Sequence, residues 1–563
     1  MKPSFLAVFA ILWLSVLPNG RSASGDLPDS LLDQIVDTFA GHAYRLDQAT
    51  AFSVGITLNG KTFFKSYGYK SFGDTSASNQ IDKDSTFEIG SVTKVFTTAL
   101  IGQAVATGTL TTNPVSLYTT LAEFPGALPS LTEQTKAVTI GELASFTAGF
   151  PDVGDTNGNG NRPPISVWGV SDFVAAISQL VPMNYNVNPS VAVSLPAPYF
   201  YSDWSTGLLG LLVANSANSA LPADAVNKWF SLVQNSILTP LGLTNTYLFN
   251  PISTDNVVLG YEQATGKAIV KFGRLSAVTI ESSGGRYSSA PPVTIEQPGG
   301  GTGATAKAIV QGTAPNLSVR KIVITNPGRG YSAGPQVEFL GGGGSGATGQ
   351  AVVIDGQIAG IQVLQQGSGY QTAPKVRITA DRRVGRGAKG TALISNGAVI
   401  GVNLTDGGSG YLPPPSVRIA PGDNIVNVVP VWAAAGALKS SASDLVKICQ
   451  MYLGQQEIDS QPVPVNLSLG GRFAIQPLVQ NTSTDATAFT AMAWQVDSGD
   501  IEGGFNLRVI KDGALPGFAS YVVLVPAIKL GVVILRSNNQ STTAEYEDPI
   551  GNIADAIARA IQS

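Results

Sequence analysis

The sequence predicts a mixed α/β (α+β) fold interrupted by an all-β insert. Three features predict it: a hairpin signal near each end, helical patterns between them, and a glycine-rich repeat in the middle. The first hairpin is residues 52–58 and 61–67 around Asn59-Gly60, a pair suited to a two-residue turn that needs positive φ at both positions. The second is residues 518–525 and 530–536 around Pro526 to Lys529, followed by a helical pattern over 550–561. Between 274 and 423 the chain repeats Gly284-Gly285-Arg286-Tyr287, Gly328-Arg329-Gly330-Tyr331, Gly367-Ser368-Gly369-Tyr370 and Gly408-Ser409-Gly410-Tyr411, with tyrosines 44, 39 and 41 residues apart. Each tyrosine is followed by proline and then an alternating strand, as in Pro335-Gln336-Val337-Glu338-Phe339. A period near forty with strands and glycine turns predicts a stacked β array, each unit covering its neighbour's apolar face. Low-complexity disorder is the alternative, and the regular Val/Ile alternation argues against it.

Composition limits the partners. A net charge of −4 with 13% charged residues and no basic tract makes nucleic acid an unsuitable partner. Lys2, the apolar run 5–17 and the small residues Ser22, Ala23 and Ser24 read as a secretory signal, residues 1–24, which predicts a periplasmic or secreted protein. An uncleaved N-terminal anchor is the rival reading, and the mature chain is expected to carry no transmembrane segment. The single cysteine, Cys449, allows no intramolecular disulfide, and one cysteine with one histidine forms no zinc constellation. No metal and no organic cofactor are expected.

That one histidine, His42, shapes the chemistry. It lies in an amphipathic stretch with Leu31, Ile35 and Phe39 and reads as a packing or surface residue, so a serine nucleophile would need lysine or tyrosine as its base. Ser91-Val92-Thr93-Lys94 supplies such a pair. Val92, Val95, Phe96, Ala99 and Ala104 recur at helical spacing after Gly90, and Gly108 is a stop signal, so Ser91 should begin a helix. Residues i and i+3 share a helix face, which brings Lys94 over Ser91, and the helix N-terminus favours a developing oxyanion. A second Ser-x-x-Lys, Ser318 to Lys321, runs into the β-like Ile322-Val323-Ile324 and lacks that geometry.

Two further motifs complete the pattern: Tyr201-Ser202-Asp203 ahead of the helical run at Leu208, and Lys511-Asp512-Gly513 ahead of Gly517-Phe518. With residues 87–94 and Ser145-Phe146-Thr147-Ala148-Gly149, their order resembles class C β-lactamases and related penicillin-binding serine hydrolases, over about 27–273 and 424–563. The resemblance implies a β-lactamase/transpeptidase-like antiparallel sheet flanked by helices. The expected organisation is a hydrolase domain in two parts, 25–273 and 424–563, split by a repeat module, 274–423, foreign to the family. It also implies that Ser91 is acylated, Lys94 assists proton transfer, Tyr201 is the acid/base, Lys511 supports it, and the backbone N–H groups of Ser91 and Ala514, beside Gly513, form the oxyanion hole. A tyrosine titrates near pH 10, so a phenolate near neutrality needs stabilisation by roughly 3 kcal/mol, which the two lysines are expected to supply.

Two positions depart from the family. Asp203 stands where the family has asparagine, and Asp512 where β-lactamases have threonine. Two added carboxylates are expected to repel anionic β-lactams and to favour a neutral or amine-bearing substrate. The reading is a secreted serine acyl hydrolase acting on a small molecule or peptide: a β-lactam, a D-amino-acid peptide or a small ester. Carboxypeptidase, aminopeptidase and esterase activities all fit. A noncatalytic envelope-binding protein with a vestigial core is the alternative. The ends of the insert should border the cleft, where the module could engage a cell-wall polymer.

Overall fold

The computed structural model describes residues 27–41, 44, 51–110, 113–124, 128, 131–152, 170–184, 188–192, 195–216, 224–248, 256–261, 265–420 with short breaks, 433–480, 488–497, 507–537 and 549–562. The predicted leader and His42 lie outside them. The chain builds an eight-stranded antiparallel sheet from both ends of the sequence. Its strands are β1 (Ala51–Leu58), β2 (Lys61–Gly68), β5 (Val479–Gln480), β6 (Ala488–Thr490), β7 (Gln495–Asp497), β8 (Arg508–Leu515), β9 (Phe518–Val525) and β10 (Leu530–Ser537), in the order β2-β1-β10-β9-β8-β7-β6-β5. Two short strands, β3 (Thr86–Glu88) and β4 (Lys439–Ser441), pair separately.

Both predicted hairpins form. Asn59 and Gly60 take φ of 51° and 88°, the two positive values that a two-residue turn with the strand twist requires, and Leu58 pairs Lys61 across it. The β9–β10 pair turns through Pro526–Ile528 and a left-handed Lys529.

Helices cover both faces of the sheet. Alternate residues of β1, namely Phe52, Val54 and Ile56, join Ile35 of α1 (Asp29–Val36) and Ile557 of α7 (Pro549–Gln562) in one apolar cluster. On the other face Gly55 admits α5 (Ala442–Tyr452), since a Cβ there would press on Val446 and Ala442 O. With both faces covered, β10 is buried at all eight positions, and its sequence is accordingly an almost unbroken apolar run.

The larger cluster encloses α2 (Thr93–Thr107), buried from Thr93 through Ala104 and ended by a left-handed Gly108 with φ of 75°. The helix is buried on all sides although it carries Thr93, Lys94, Thr97, Thr98 and Gln103, and it packs among α3 (Asp203–Asn215), α4 (Ala433–Gly436) and α6 (Val465–Ala474).

The strands between Thr265 and Ile419 correct the expectation of a linear stack. They form two six-strand units, one nested within the other. The outer unit joins the hairpin Thr265–Lys271/Arg274–Ser282 and the strand Val293–Glu296 to the hairpin Arg386–Ser395/Ala398–Ser409 and the strand Ser416–Ile419. The inner unit repeats that order with Thr305–Gln311/Ser318–Asn326, Gln336–Leu340, Ser345–Ile354/Gln357–Ser368 and Lys375–Thr379.

Each unit has its own core. Leu275, Ala392, Val399 and Ile419 fill the outer one, and Val319, Ile322, Ile361 and Tyr370 the inner one. All four hairpins carry register shifts at matching places, for example between Ile269 and Val270, Ile309 and Val310, Val352 and Val353, and Leu393 and Ile394. The first repeat thus closes on the fourth and the second on the third. A lone hairpin leaves an apolar face in water, and pairing two around a small core covers both without the open ends of a stack.

Candidate active site

Ser91 lies on a single 3₁₀ turn, Gly90–Val92, that runs into α2. The turn is held from three sides. Ile89 N–H donates to Leu438 O at 3.0 Å, Ser520 Oγ donates to Ile89 O at 2.7 Å, and Leu438 N–H donates to Thr93 Oγ1 at 3.1 Å. One helical turn on, Lys94 is fully buried and donates to Ser91 Oγ at 3.0 Å, to Ala435 O at 2.7 Å and to Asp203 Oδ1. Three donors thus meet three acceptors.

Tyr201 reaches the same oxygen from the opposite side. Its hydroxyl donates to Ser91 Oγ at 2.6 Å, and its ring packs on Phe146 with centroids 5.0 Å apart. Phe146 has a φ of 60°, a strained value for an aromatic residue. The ring of Tyr201 also lies 5.0 Å from Lys94 Nζ and 5.3 Å from Lys511 Nζ.

α3 begins immediately after this tyrosine. Ser202 caps it by accepting from Ser205 N–H at 3.0 Å, and Asp203, the first helical residue, donates its N–H to Asp152 Oδ1 at 3.3 Å. The helix start therefore fixes Tyr201 and Asp203 together.

β8 forms the other wall. β7 pairs it only as far as Ile510, so from Lys511 onward that edge turns to the Ser91 turn instead. Gly513 permits the approach: a Cβ there would lie 3.0 Å from Ser91 N and run into Ile89 O and the Ser520 hydroxyl. A Cβ on Gly90 would fall 2.8 Å from Ala514 N. The backbone nitrogens of Ser91 and Ala514 are thereby brought to one side of the serine. Lys511 is buried, and its ammonium donates to Asp512 O at 2.7 Å and to Asp512 Oδ1 at 2.9 Å, while the Asp512 side chain stays 54% exposed.

The electrostatics differ from the sequence expectation in one respect. Burial pushes the Tyr201 hydroxyl well above its ordinary range; Lys511 pulls it down, but Asp203 and Asp512 oppose that pull. Tyr201 is therefore a neutral hydrogen-bond donor, not the phenolate that two uncompensated lysines would stabilise. Neighbouring Tyr199 is likewise pushed up to about 12, by burial first and by Asp512 among other charges. The Lys511 ammonium holds the Asp512 carboxyl below the usual range. Neither aspartate is an isolated charge: Asp203 is paired with Lys94 and Asp512 with Lys511.

All of the residues singled out from the sequence, Ser91, Lys94, Tyr201, Asp203, Lys511, Asp512, Gly513 and Ala514, gather around this one serine. Ser318 of the second Ser-x-x-Lys starts a strand, as its apolar surroundings predicted. Sequence reasoning missed Ala435, whose carbonyl receives Lys94, and Asp152. Ala435 had a readable signal in the run of small residues 433–436, which lets α4 come close to α2 and α3. Asp152 had none. The flanks of the β units also border the site: Gly260 packs on the Phe518 ring just past β8, and a Cβ on Gly436 would lie 3.9 Å from Gly90 C. Among the described residues no helix is long and apolar enough to cross a membrane.

Comparison with known proteins bears on the fold and the family. Against curated proteins, the chain is 26% identical over 252 residues to a beta-lactamase of Pseudomonas fluorescens, covering 43% of this chain and 59% of that protein. It is 27% identical over 220 residues to one of Escherichia coli (strain K12), covering 38% and 48% respectively. The chain thus spans about half the length of the curated relatives it matches. Among solved structures, a class C beta-lactamase superposes with a TM-score of 0.53 at 13% identity, covering 95% of this chain and 97% of that one. A beta-lactamase from Sulfitobacter sp. EE-36 gives 0.51 at 15% identity, with 94% and 98% covered. At such identities these two likenesses speak for the fold alone. The family model described as Beta-lactamase matches residues 32–361, more than half of the sequence, and the chain belongs to the beta-lactamase family.

Proposed function

We propose that the protein is a serine acyl hydrolase that cleaves an amide or ester through an acyl-enzyme on Ser91. One observation carries the reading: Lys94 Nζ and the Tyr201 hydroxyl converge on Ser91 Oγ at 3.0 and 2.6 Å. Two donors aimed at one serine oxygen stabilise it as the alkoxide it must become. Gly513 and Ala514 lie beside the serine, so the N–H groups of Ser91 and Ala514 would receive the carbonyl oxygen. A neutral Tyr201 would then protonate the leaving group. The test is turnover of a chromogenic β-lactam and of a short-chain nitrophenyl ester by the purified protein; absence of turnover on these and on D-amino-acid peptides sinks the reading.

The acidic residues set the substrate class in this proposal. Each lysine at the serine has an aspartate as its partner, so the site lacks the surplus positive charge that would attract a carboxylate. Neutral esters, neutral amides and amine-bearing peptides fit it better than anionic β-lactams. Asp512→Asn frees the Lys511 ammonium and is expected to raise kcat/KM for a carboxylate-bearing substrate about tenfold over a neutral ester, or about 1.4 kcal/mol. An equal change for both substrates would mean that Asp512 lies outside the substrate's reach.

Among the described residues, the two six-strand units supply none of the side chains that contact Ser91. Replacing residues 265–419 with a short Gly-Ser linker is therefore expected to leave labelling of Ser91 by a fluorophosphonate intact. If the module engages a cell-wall polymer, as we propose, sedimentation with wall material is lost in the same variant. Lost labelling in a folded variant, or unchanged sedimentation, would contradict the assignment. We assign the chain to the periplasm or the exterior on its N-terminal sequence; fractionation of expressing cells tests it.

A further inference from the structure

Lys94 is buried completely, and its three N–H groups are taken by Ser91 Oγ, Ala435 O and Asp203 Oδ1. A lysine held as a permanent ammonium cannot remove the proton from Ser91. A neutral lysine could, but then the carboxylate of Asp203 would stand against an uncharged partner in a largely enclosed site, its side chain only 22% exposed. Tyr201 is no alternative sink, because it is protonated and already donates to the same Oγ. The proton of Ser91 needs an acceptor, and Asp203 is the anion in contact with Lys94.

Resting on the serine-hydrolase reading above, we propose that Asp203 is a positioning residue that acts through Lys94, receiving by way of the lysine the proton that Ser91 gives up on acylation. Lys94 Nζ first gives a proton to Asp203 Oδ1, and the resulting amine turns about its Cε–Nζ bond until its lone pair faces Ser91 and takes the proton of Oγ. The freed electron pair on Oγ forms the bond to the substrate carbonyl carbon, and the carbonyl π pair moves onto oxygen. When the tetrahedral centre collapses, the leaving group departs with its bonding pair and takes the Tyr201 proton. Asp203 then releases its proton to solvent and the tyrosine oxygen takes one from solvent, which restores all three groups.

The geometry suits a relay because the lysine needs only to rotate about its Cε–Nζ bond: the 3.0 Å contact serves an ammonium donating to an alkoxide and, after that rotation, a serine donating to an amine. The other charged and titratable groups about the pair are Tyr201, Tyr199, Lys511, Asp512 and Asp152. The helix α4, packed on both α2 and α3, contributes none.

Rescue by a second carboxylate separates this role from simple packing. Asp203→Asn keeps the size of the side chain and a hydrogen-bond acceptor for Lys94 but takes up no proton, so acylation at pH 7 should slow about 100-fold. Asp203→Glu restores a carboxylate and should recover most of that loss.

The assay is single-turnover acylation by a nitrophenyl ester at pH 7, with thermal melting to confirm folding. A folded Asp203→Asn variant that acylates at the wild-type rate, or a folded Asp203→Glu variant no faster than Asp203→Asn, overturns the proposal. Turnover that survives Ser91→Ala overturns the underlying serine reading instead, so the two failures are distinct.

Discussion

Ser91→Ala is expected to abolish covalent labelling by a fluorophosphonate or a penicillin-like acyl donor, and to reduce ester and amide turnover by at least about 10⁴-fold. The loss is this large because the proposed acyl-enzyme forms on this oxygen. Among the described residues Oγ is the single oxygen contacted by both Lys94 and Tyr201, and Ser91 is partly exposed while the lysine behind it is buried. The fold should not suffer. Ile89, Thr93, Leu438 and Ser520 hold the turn through backbone groups and other side chains, so removing one hydroxyl leaves its geometry in place. Intact-protein mass spectrometry with a melting curve decides the matter, and an adduct that survives the substitution would move the nucleophile elsewhere.

Tyr201→Phe is the second large effect, and its size should depend on the leaving group. The ring remains, with its packing on Phe146 and its contacts to the Lys94 and Lys511 ammonium groups. Only the hydroxyl at 2.6 Å from Ser91 Oγ is lost. An amine leaves poorly without a proton, so amide turnover should fall by about 10³-fold, inside the 10²–10⁴ range of a positioned general acid. A nitrophenolate leaves without help, so the activated ester should lose about tenfold, the share due to hydrogen bonding at the nucleophile. The ratio of the two losses is the readout. Equal losses on amide and ester would assign Tyr201 to serine activation and remove its role as acid.

The raised protonation range of Tyr201 bears on both expectations. Had the two lysines acted alone, a phenolate could have served as base. Burial first, then Asp203 and Asp512, oppose that effect in the folded protein, so the route proposed for the proton runs through Lys94. In that proposal the two aspartates bear on the route of the proton as well as on substrate charge.

The local sequence determined much of this. Asn59-Gly60 encodes its turn because only certain residues tolerate two positive φ values in succession. The apolar spacing after Gly90 encodes a helix with Lys94 one turn from Ser91, and Gly108 ends it. The period near forty encodes four matching hairpins, whose bulges fall at equivalent positions because the repeats share their local chemistry. In each case the information lies within a few residues of where it acts.

Tertiary structure decided the rest, because it depends on groups far apart in the chain. That Lys94 is an ion-paired lysine follows from Asp203, 109 residues away, and from a carbonyl at Ala435, 341 residues away. The pairing of the first repeat with the fourth, and of the second with the third, follows from which apolar faces could cover one another, a choice that identical local patterns leave open. The raised protonation range of Tyr201 was also beyond sequence, since it is a balance of burial with three charges, Lys511, Asp203 and Asp512, whose placement the fold alone sets. Sequence named the residues of the candidate site; long-range packing set the contacts among them.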